Sequence, residues 1–252
     1  IGEGLDAAVE NSLKNERMKT ELITNVSHDI KTPLTSIINY VDLLEKEELS
    51  NETAEEYLEV LERQSNRLKK LIEDLIEASK ASTGNLAVHL EKLEAGVSVV
   101  QIVGEFEDKL NAADLTLLIQ KPETPVYVMA DGRHFWRVID NLMNNICKYA
   151  QPGTRVYVDL RENGGQVELI FRNTSRYPLN ISSEELMERF VRGDESRNTE
   201  GSGLGISIAK SLMELMRGSF MLYVDGDLFK VVLGFAQMEE EKEPLDEDKS
   251  GK

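Results

Sequence analysis

A histidine followed directly by an aspartate, with a hydroxyl one helical turn later, has the residue types needed for nucleophilic group transfer. His28 precedes Asp29, and Thr32 and Pro33 follow. A neutral imidazole is a nucleophile when one ring nitrogen keeps a free lone pair, and a carboxylate bound to the other nitrogen fixes that tautomer. We therefore interpret Asp29 as the group that orients His28. The alternative is a surface histidine on a coiled coil.

Thr32 lies four residues after His28, so on a helix the two side chains share a face. Its hydroxyl could orient a water molecule beside the imidazole. Pro33 has no N–H for the carbonyl of Asp29, which predicts a kink next to the reactive histidine.

A second group of polar residues follows helical spacing between positions 141 and 150. Asn141, Asn145 and Lys148 or Tyr149 are three or four residues apart, so two amides and a cation share one face. Mg²⁺ prefers oxygen ligands and fills its shell with waters and phosphate oxygens, so the amide carbonyl of Asn145 suffices as a protein ligand. This face could hold a metal and phosphates. It could also be the polar face of an amphipathic helix.

A glycine-rich loop is the third candidate site. It consists of Gly201, Ser202, Gly203, Leu204 and Gly205, and an amphipathic run from Ile206 to Met216 follows it. Successive backbone N–H groups at the start of a helix can bind phosphates. The loop is not of the Walker type, because no lysine follows the glycines.

Two helices must position the histidine. Apolar residues recur every three or four positions from Val26 to Leu44, and again from Tyr57 to Leu75, with a turn at Ser50–Asn51 between them. A helical hairpin cannot bury so wide an apolar stripe alone. We therefore predict a homodimer in which two hairpins form a four-helix bundle.

Downstream of residues 79–85 the pattern changes to mixed α and β. Strands are predicted at 125–129, 155–160 and 166–171, and a hairpin is predicted with strands 219–224 and 228–235 around Asp225-Gly226-Asp227. Asp131 is a candidate cap for the helix that carries residues 135–142. The predicted fold class is α+β, a helical-hairpin dimerisation domain followed by an α/β sandwich.

Composition limits the possible partners and location. The chain has 252 residues, 29 Lys and Arg against 46 Asp and Glu, and a formal charge of -17, which argues against nucleic-acid binding. A single cysteine, Cys147, suits a reducing compartment. No window is apolar and long enough to cross a bilayer, so we expect a cytoplasmic fragment without direct membrane contact.

The three groups of residues, in this order and separation, resemble the bacterial sensor histidine kinases with an ATP-binding domain of the GHKL type. The resemblance implies these domains: 1–15, a linker from an upstream, membrane-anchored sensor; 16–84, dimerisation and histidine phosphotransfer; 85–236, catalytic ATP binding; and 237–252, an acidic disordered tail.

The resemblance also implies roles for the candidate residues. His28 would be the phosphoacceptor assisted by Asp29, Thr32 would support dephosphorylation of a response regulator, and Asn145 would bind Mg²⁺. The nucleotide would be ATP, bound by Asn141, Lys148, Tyr149 and the loop from Gly201 to Gly205.

One motif departs from the family pattern. The family usually has D-x-G-x-G after the strand at 166–171, whereas this chain has Asn173 at the aspartate position and no glycines after it. An asparagine keeps one acceptor oxygen for the adenine amino group but lacks the charge of a carboxylate. We expect a kinase that phosphorylates itself and then a response regulator receiver domain. The alternative is a phosphatase-biased protein or a non-catalytic scaffold with weakened ATP binding.

Overall fold

The structure of the protein is a computed structural model. The structure describes residues 34–35, 37–39, 41–42, 44–45, 52–82, 85–179, 186 and 204–238. The described residues form two compact units, which divide after Ala87, after Arg176 and after Leu215. In chain order the elements are α1 Glu52–Ser82, β1 Glu91–Glu94, α2 Ala95–Gly104, α3 Glu107–Ala112, β2 Thr116–Gln120, β3 Tyr127–Ala130, α4 Gly132–Tyr149, β4 Arg155–Asn163, β5 Gln166–Thr174, α5 Gly205–Leu215, β6 Ser219–Asp225 and β7 Leu228–Met238.

The first unit is helical. The described positions between 34 and 45 are helical, and α1 continues for 31 residues. Leu34 and Val41 are buried seven residues apart, as are Leu58, Ser65 and Ile72 on α1. A repeat of seven keeps one seam of a helix facing its neighbour. The predicted second helix of the hairpin is confirmed by α1, and α5 packs against α1 in the same unit.

The second unit is built on a seven-stranded sheet. Its strands follow the order β1-β3-β7-β5-β4-β2, and β6 also pairs with β7. Only β2 and β4 are parallel; every other pair is antiparallel. One edge of β7 pairs with β5, while its other edge pairs first with β6 and then, at Gln237 and Met238, with β3. β7 therefore joins the two halves of the sheet.

One face of this sheet forms the core of the unit. Alternate residues of β4, β5 and β7, such as Val158, Phe171 and Phe235, are almost fully buried. The ring of Phe135 on α4 lies 5.7 Å from that of Phe235, so α4 packs on this face. The period of two in the strands thus separates a helix-covered face from an outer face.

The outer face carries polar and cationic side chains. The register aligns Arg161 with Glu168 and Gly234, then Asp159 with Ile170 and Val232, then Tyr157 with Arg172 and Lys230. On β6, Ser219, Met221 and Tyr223 continue the same three rows. We call this surface the outer face.

The structure confirms the predicted fold class and most of the predicted elements. The hairpin turn has the left-handed Gly226 (φ 57°) between β6 and β7. β1, β2, α2 and α3 were not predicted. β1 and β2 are short edge strands whose residues are half-buried or exposed, so their alternating pattern is weak. Among the described residues no helix is both long and apolar enough to span a bilayer.

Candidate functional site

Helix α4 is fixed at its start by a buried aspartate. The carboxylate of Asp131 accepts hydrogen bonds from the backbone N–H of Arg133 (3.0 Å) and His134 (3.3 Å), and from that of His89 (2.9 Å). Burial alone would raise the pKa of Asp131, but these N–H groups and the charge of His134 together lower it. The predicted N-cap is confirmed. It also ties the helix to the segment before β1.

The candidate residues of α4 share one side of the helix. Asn141, Asn145, Lys148 and Tyr149 are half-buried, whereas Leu142 and Ile146 are buried in the core. The Nδ2 atom of Asn141 is buried and has no hydrogen-bond partner among the described residues. A buried donor without a partner is costly, so it indicates a ligand that would accept its hydrogen bond. Lys148 places its Nζ atom 5.4 Å from the centre of the Tyr149 ring.

A third asparagine of the same helix, Asn144, forms hydrogen bonds to neighbouring side chains and backbone of the fold. The Nδ2 atom of Asn144 donates to the carboxylate and the carbonyl of Asp140, both at 2.8 Å. Lys109 of α3 donates to its Oδ1 atom at 3.2 Å, and Arg137 binds Asp140 at 3.1 Å. Asn144 therefore holds α3 and α4 together. The sequence alone does not separate it from Asn141 and Asn145.

Asn173 lies at the end of β5 and is only 4% exposed. Its Nδ2 atom donates to the carbonyl of Thr174 at 3.2 Å. Its Oδ1 atom is buried and has no partner within the described part of the chain. With this orientation of the amide, the side chain offers its acceptor oxygen to a ligand. Adenine carries an exocyclic amino group, which is a donor, so the geometry matches adenine.

The end of β5 is tied directly to the end of α4. The backbone N–H of Gln151 donates to the carbonyl of Thr174 at 2.9 Å, and that of Arg176 donates to the carbonyl of Tyr149 at 2.8 Å. Ala150 and Ser175 form a β-bridge between these bonds. None of residues 173–176 has a positive φ, so this turn does not require the glycines that the family pattern has here.

The remaining candidate residues fall into two groups. His28, Asp29, Thr32, Gly201, Ser202 and Gly203 lie outside the described residues. Leu204 is 1% exposed, and Gly205 begins α5, the 11-residue helix that the sequence predicts after the glycine-rich loop. The carbonyl of Leu204 accepts bonds from the N–H of Ile208 (2.8 Å) and the hydroxyl of Ser207 (2.9 Å).

The polar side chains on α4 could hold a metal ion only if a bound nucleotide supplied further oxygen ligands. Within the described ranges no group of three or more His, Cys, Asp or Glu side chains could hold a metal ion. The amide oxygen of Asn145 is a hard ligand one helical turn from the Asn141 donor, which has no partner in the described part of the chain. Mg²⁺ accepts such a site when phosphate oxygens and waters complete its shell.

Comparisons with known proteins identify both parts of the chain. Residues 18–84 match the family "His Kinase A (phospho-acceptor) domain", and residues 130–243 match the family "Histidine kinase-, DNA gyrase B-, and HSP90-like ATPase". Sensor protein kinase WalK of Staphylococcus aureus is 28% identical over 209 residues, which is 81% of this chain and 50% of that protein.

Solved structures agree on the fold. ShkA, crystallised at full length with AMPPNP, has a TM-score of 0.75 at 20% identity, covering 87% of this chain and 47% of that chain. The histidine kinase AdeS of Acinetobacter baumannii has a TM-score of 0.56 at 17% identity, covering 84% of this chain and 98% of that chain. The chain thus spans between 34% and 50% of the matched WalK sequences and 47% of ShkA. With a phospho-acceptor domain followed by an ATPase domain, it belongs to the bacterial sensor histidine kinases.

Proposed function

We propose that this chain is a kinase core that uses Mg²⁺-ATP to phosphorylate its own His28 and then transfers the phosphoryl group to an aspartate of a response regulator receiver domain. The observation that carries the proposal is the buried acceptor of Asn173, which has no partner among the described residues and lies beside the end of the helix that bears the other nucleotide residues. That acceptor supports a kinase over a phosphatase-biased protein or a scaffold, because adenine recognition survives the change from aspartate.

The nucleotide would be held at both ends. Asn173 accepts a hydrogen bond from the adenine amino group, and Asn141 donates to the phosphates, with Lys148 and Tyr149 beside them. Asn145 would hold Mg²⁺, which neutralises charge on the phosphates when it is bound. The backbone N–H groups of residues 201–205 would bind the phosphates at the start of α5.

At the reacting centre, one imidazole nitrogen of His28 attacks the γ-phosphorus in line with the bond to the β-phosphate. A P–N bond forms while the P–O bond breaks, and ADP leaves with the electron pair of that bond. Asp29 accepts the hydrogen bond of the second ring nitrogen and stabilises the positive imidazolium that forms. Thr32, one turn further, orients the water that would hydrolyse the phosphorylated regulator.

The kinase would work as a homodimer in the cytoplasm. The described part of the helical unit leaves large apolar side chains about half exposed, namely Ile37 (48%), Leu44 (47%), Leu61 (50%) and Leu68 (44%). Each pair is seven residues apart, and each of these residues lies three positions after a buried one, so they form the exposed edge of the same apolar stripe. An edge of this kind is stabilised when a second hairpin covers it.

Autophosphorylation with γ-labelled ATP and Mg²⁺ tests the proposal. The native chain should acquire an acid-labile label, and His28→Ala and Asn145→Ala should abolish it. The matched control is Asn163→Ala, which removes an exposed asparagine of β4 that donates to Glu168 at 3.2 Å and should leave the label intact. A label that survives in His28→Ala, or one that resists acid, would refute phosphorylation at this histidine.

A further inference from the structure

The outer face of the sheet carries cationic groups that the proposed kinase reaction does not use. Arg161 is 54% exposed, Arg172 is 35% exposed, and both bind the same buried carboxylate, that of Asp159. Lys230 is aligned with Arg172 across the β5–β7 pair. Two guanidinium groups thus bind one buried carboxylate, and a lysine lies in the row of one of them, in a chain whose formal charge is -17.

The polar atoms within this cluster are incompletely paired. The Oδ1 atom of Asp159 and the Nε atom of Arg172 are buried and have no hydrogen-bond partner among the described residues. Arg172 lies 5.1 Å from the centre of the Tyr157 ring, and Lys230 lies 5.1 Å from that of Tyr223. Aromatic rings hold Arg172 and Lys230 in place, and the exposed guanidinium of Arg161 keeps N–H donors for an anionic partner.

The cationic rows are separated by an apolar row. Ile170 and Val232 lie between the row of Arg161 and the row of Arg172, and Met221 beside them is 40% exposed. Glu168 and Asp225 are the other carboxylates on this face. The surface therefore favours a ligand with two acidic groups and an apolar residue between them.

We propose that the occupant of the outer face is the C-terminal acidic segment of this chain, residues 239–248. It has Glu239–Glu241 and Glu243, then Pro244-Leu245, then Asp246–Asp248, so two acidic groups flank an apolar pair. The segment lies outside the described residues and follows Met238, the last residue of β7.

The segment is long enough to reach the cations. Lys230 precedes Met238 by eight positions on the same strand, about 26 Å at about 3.3 Å per residue. Ten extended residues span up to about 33 Å, which leaves roughly two residues for the change of direction. Arg161 is aligned with Gly234, only four positions from Met238, and is reached first.

Zero-length crosslinking of the full chain with a carbodiimide tests this proposal. The reagent joins a lysine amine to a carboxylate with loss of water, so the amine of Lys230 should form an amide with residues 239–248. Lys69, an exposed lysine of α1, serves as the reference amine. The yield at Lys230 should exceed that at Lys69 and should vanish in 1 M salt, where the screening length falls to about 3 Å.

Reversing the charge of one cation on the outer face is the second part of the crosslinking test. Arg161→Glu should lower the crosslink yield about two- to fivefold, the effect of one exposed ion pair, and circular dichroism should show an unchanged fold. Arg133→Glu, at an arginine that is 75% exposed on α4, makes the same change in net charge and should leave the yield unaltered.

Mixing isotope-labelled and unlabelled chains decides where the segment comes from. Crosslinks within one isotope class support the proposal. Crosslinks that join the two classes would assign the occupant to a second copy and overturn it, as would a yield at Lys230 equal to that at Lys69.

Discussion

Removing the acceptor of Asn173 should weaken ATP binding by a calculable amount. In Asn173→Ala the hydrogen bond to adenine is lost. A neutral hydrogen bond contributes about 1 to 1.5 kcal/mol, so the dissociation constant for ATP should rise about five- to tenfold. Without ATP, the substitution should change the free energy of unfolding by a smaller amount. The variant loses the bond from Nδ2 to Thr174, but it also removes a buried acceptor that has no partner within the described ranges.

Asn173→Asp restores the residue usual in the family, and its effects on binding and stability should have opposite signs. A carboxylate oxygen would replace the Nδ2 atom, 3.2 Å from the carbonyl oxygen of Thr174, so a hydrogen bond becomes a repulsion in a site that is 4% exposed. We expect the free energy of unfolding without nucleotide to fall by about 2 kcal/mol. With ATP bound, the charge-assisted bond should make affinity equal to or up to about tenfold better than native.

Calorimetric titration of ATP and GTP into the native chain and these variants measures the affinities, and unfolding in urea without nucleotide measures the free energies of unfolding. Guanine presents an acceptor where adenine has its amino group, so Asn173→Ala should also reduce the preference for ATP over GTP. Asn163→Ala is the control, because it removes an exposed asparagine from the same pair of strands. The reasoning is refuted if Asn173→Ala binds ATP within twofold of the native chain, or if the control weakens ATP equally.

Three other predictions concern assembly, stability and reactivity. Leu61→Asp with Leu68→Asp should weaken the dimer by about 1,000-fold or more, because each of the two half-exposed leucines loses roughly 1 kcal/mol on each of the two chains, and light scattering would detect the monomer. Asp131→Ala should lower the free energy of unfolding by about 2 kcal/mol at pH 7, measured in urea. Since folding lowers the pKa of Asp131, this difference should persist above the ordinary aspartate pKa and disappear as the pH falls through the lowered value. Burial raises the pKa of the Cys147 thiol against the opposing charge of Lys109, so alkylation at pH 8 should be about tenfold slower than in denaturant; equal rates would contradict this.

The elements that position the site follow from local sequence signals. Asp131 and the apolar spacing after it predict α4, and Gly226 predicts the β6–β7 hairpin, because caps and turns depend on residues close in sequence. The short strands β1 and β2 were missed because they pair along one edge only. Their register depends on partners that are distant in the chain.

The roles of individual asparagines needed the structure. Asn144 is held by Lys109, which is 35 residues away, and no local pattern encodes that pairing. The position of Asn173 is predictable by resemblance, but the orientation of its amide depends on the carbonyl of Thr174. The roles assigned to His28, Asp29, Thr32 and the loop at 201–203 stay predictions, because these residues lie outside the described ranges.

The two backbone hydrogen bonds between the end of α4 and the end of β5 limit the insertions and deletions that this protein and its relatives can accept there. The bonds of Gln151 with Thr174 and of Arg176 with Tyr149 join two short segments at fixed register, so one inserted or deleted residue in either segment would break both bonds. Side chains there remain replaceable, as the change from aspartate to Asn173 illustrates. The turn at Gly164 and Gly165 is less restrained, since only the carbonyl of Gly165 accepts a backbone bond, from the N–H of Gln237, and a Cβ atom at either glycine would contact nothing within 4 Å. Alignment gaps among relatives should therefore accumulate at that turn and be absent from 149–151 and 173–176.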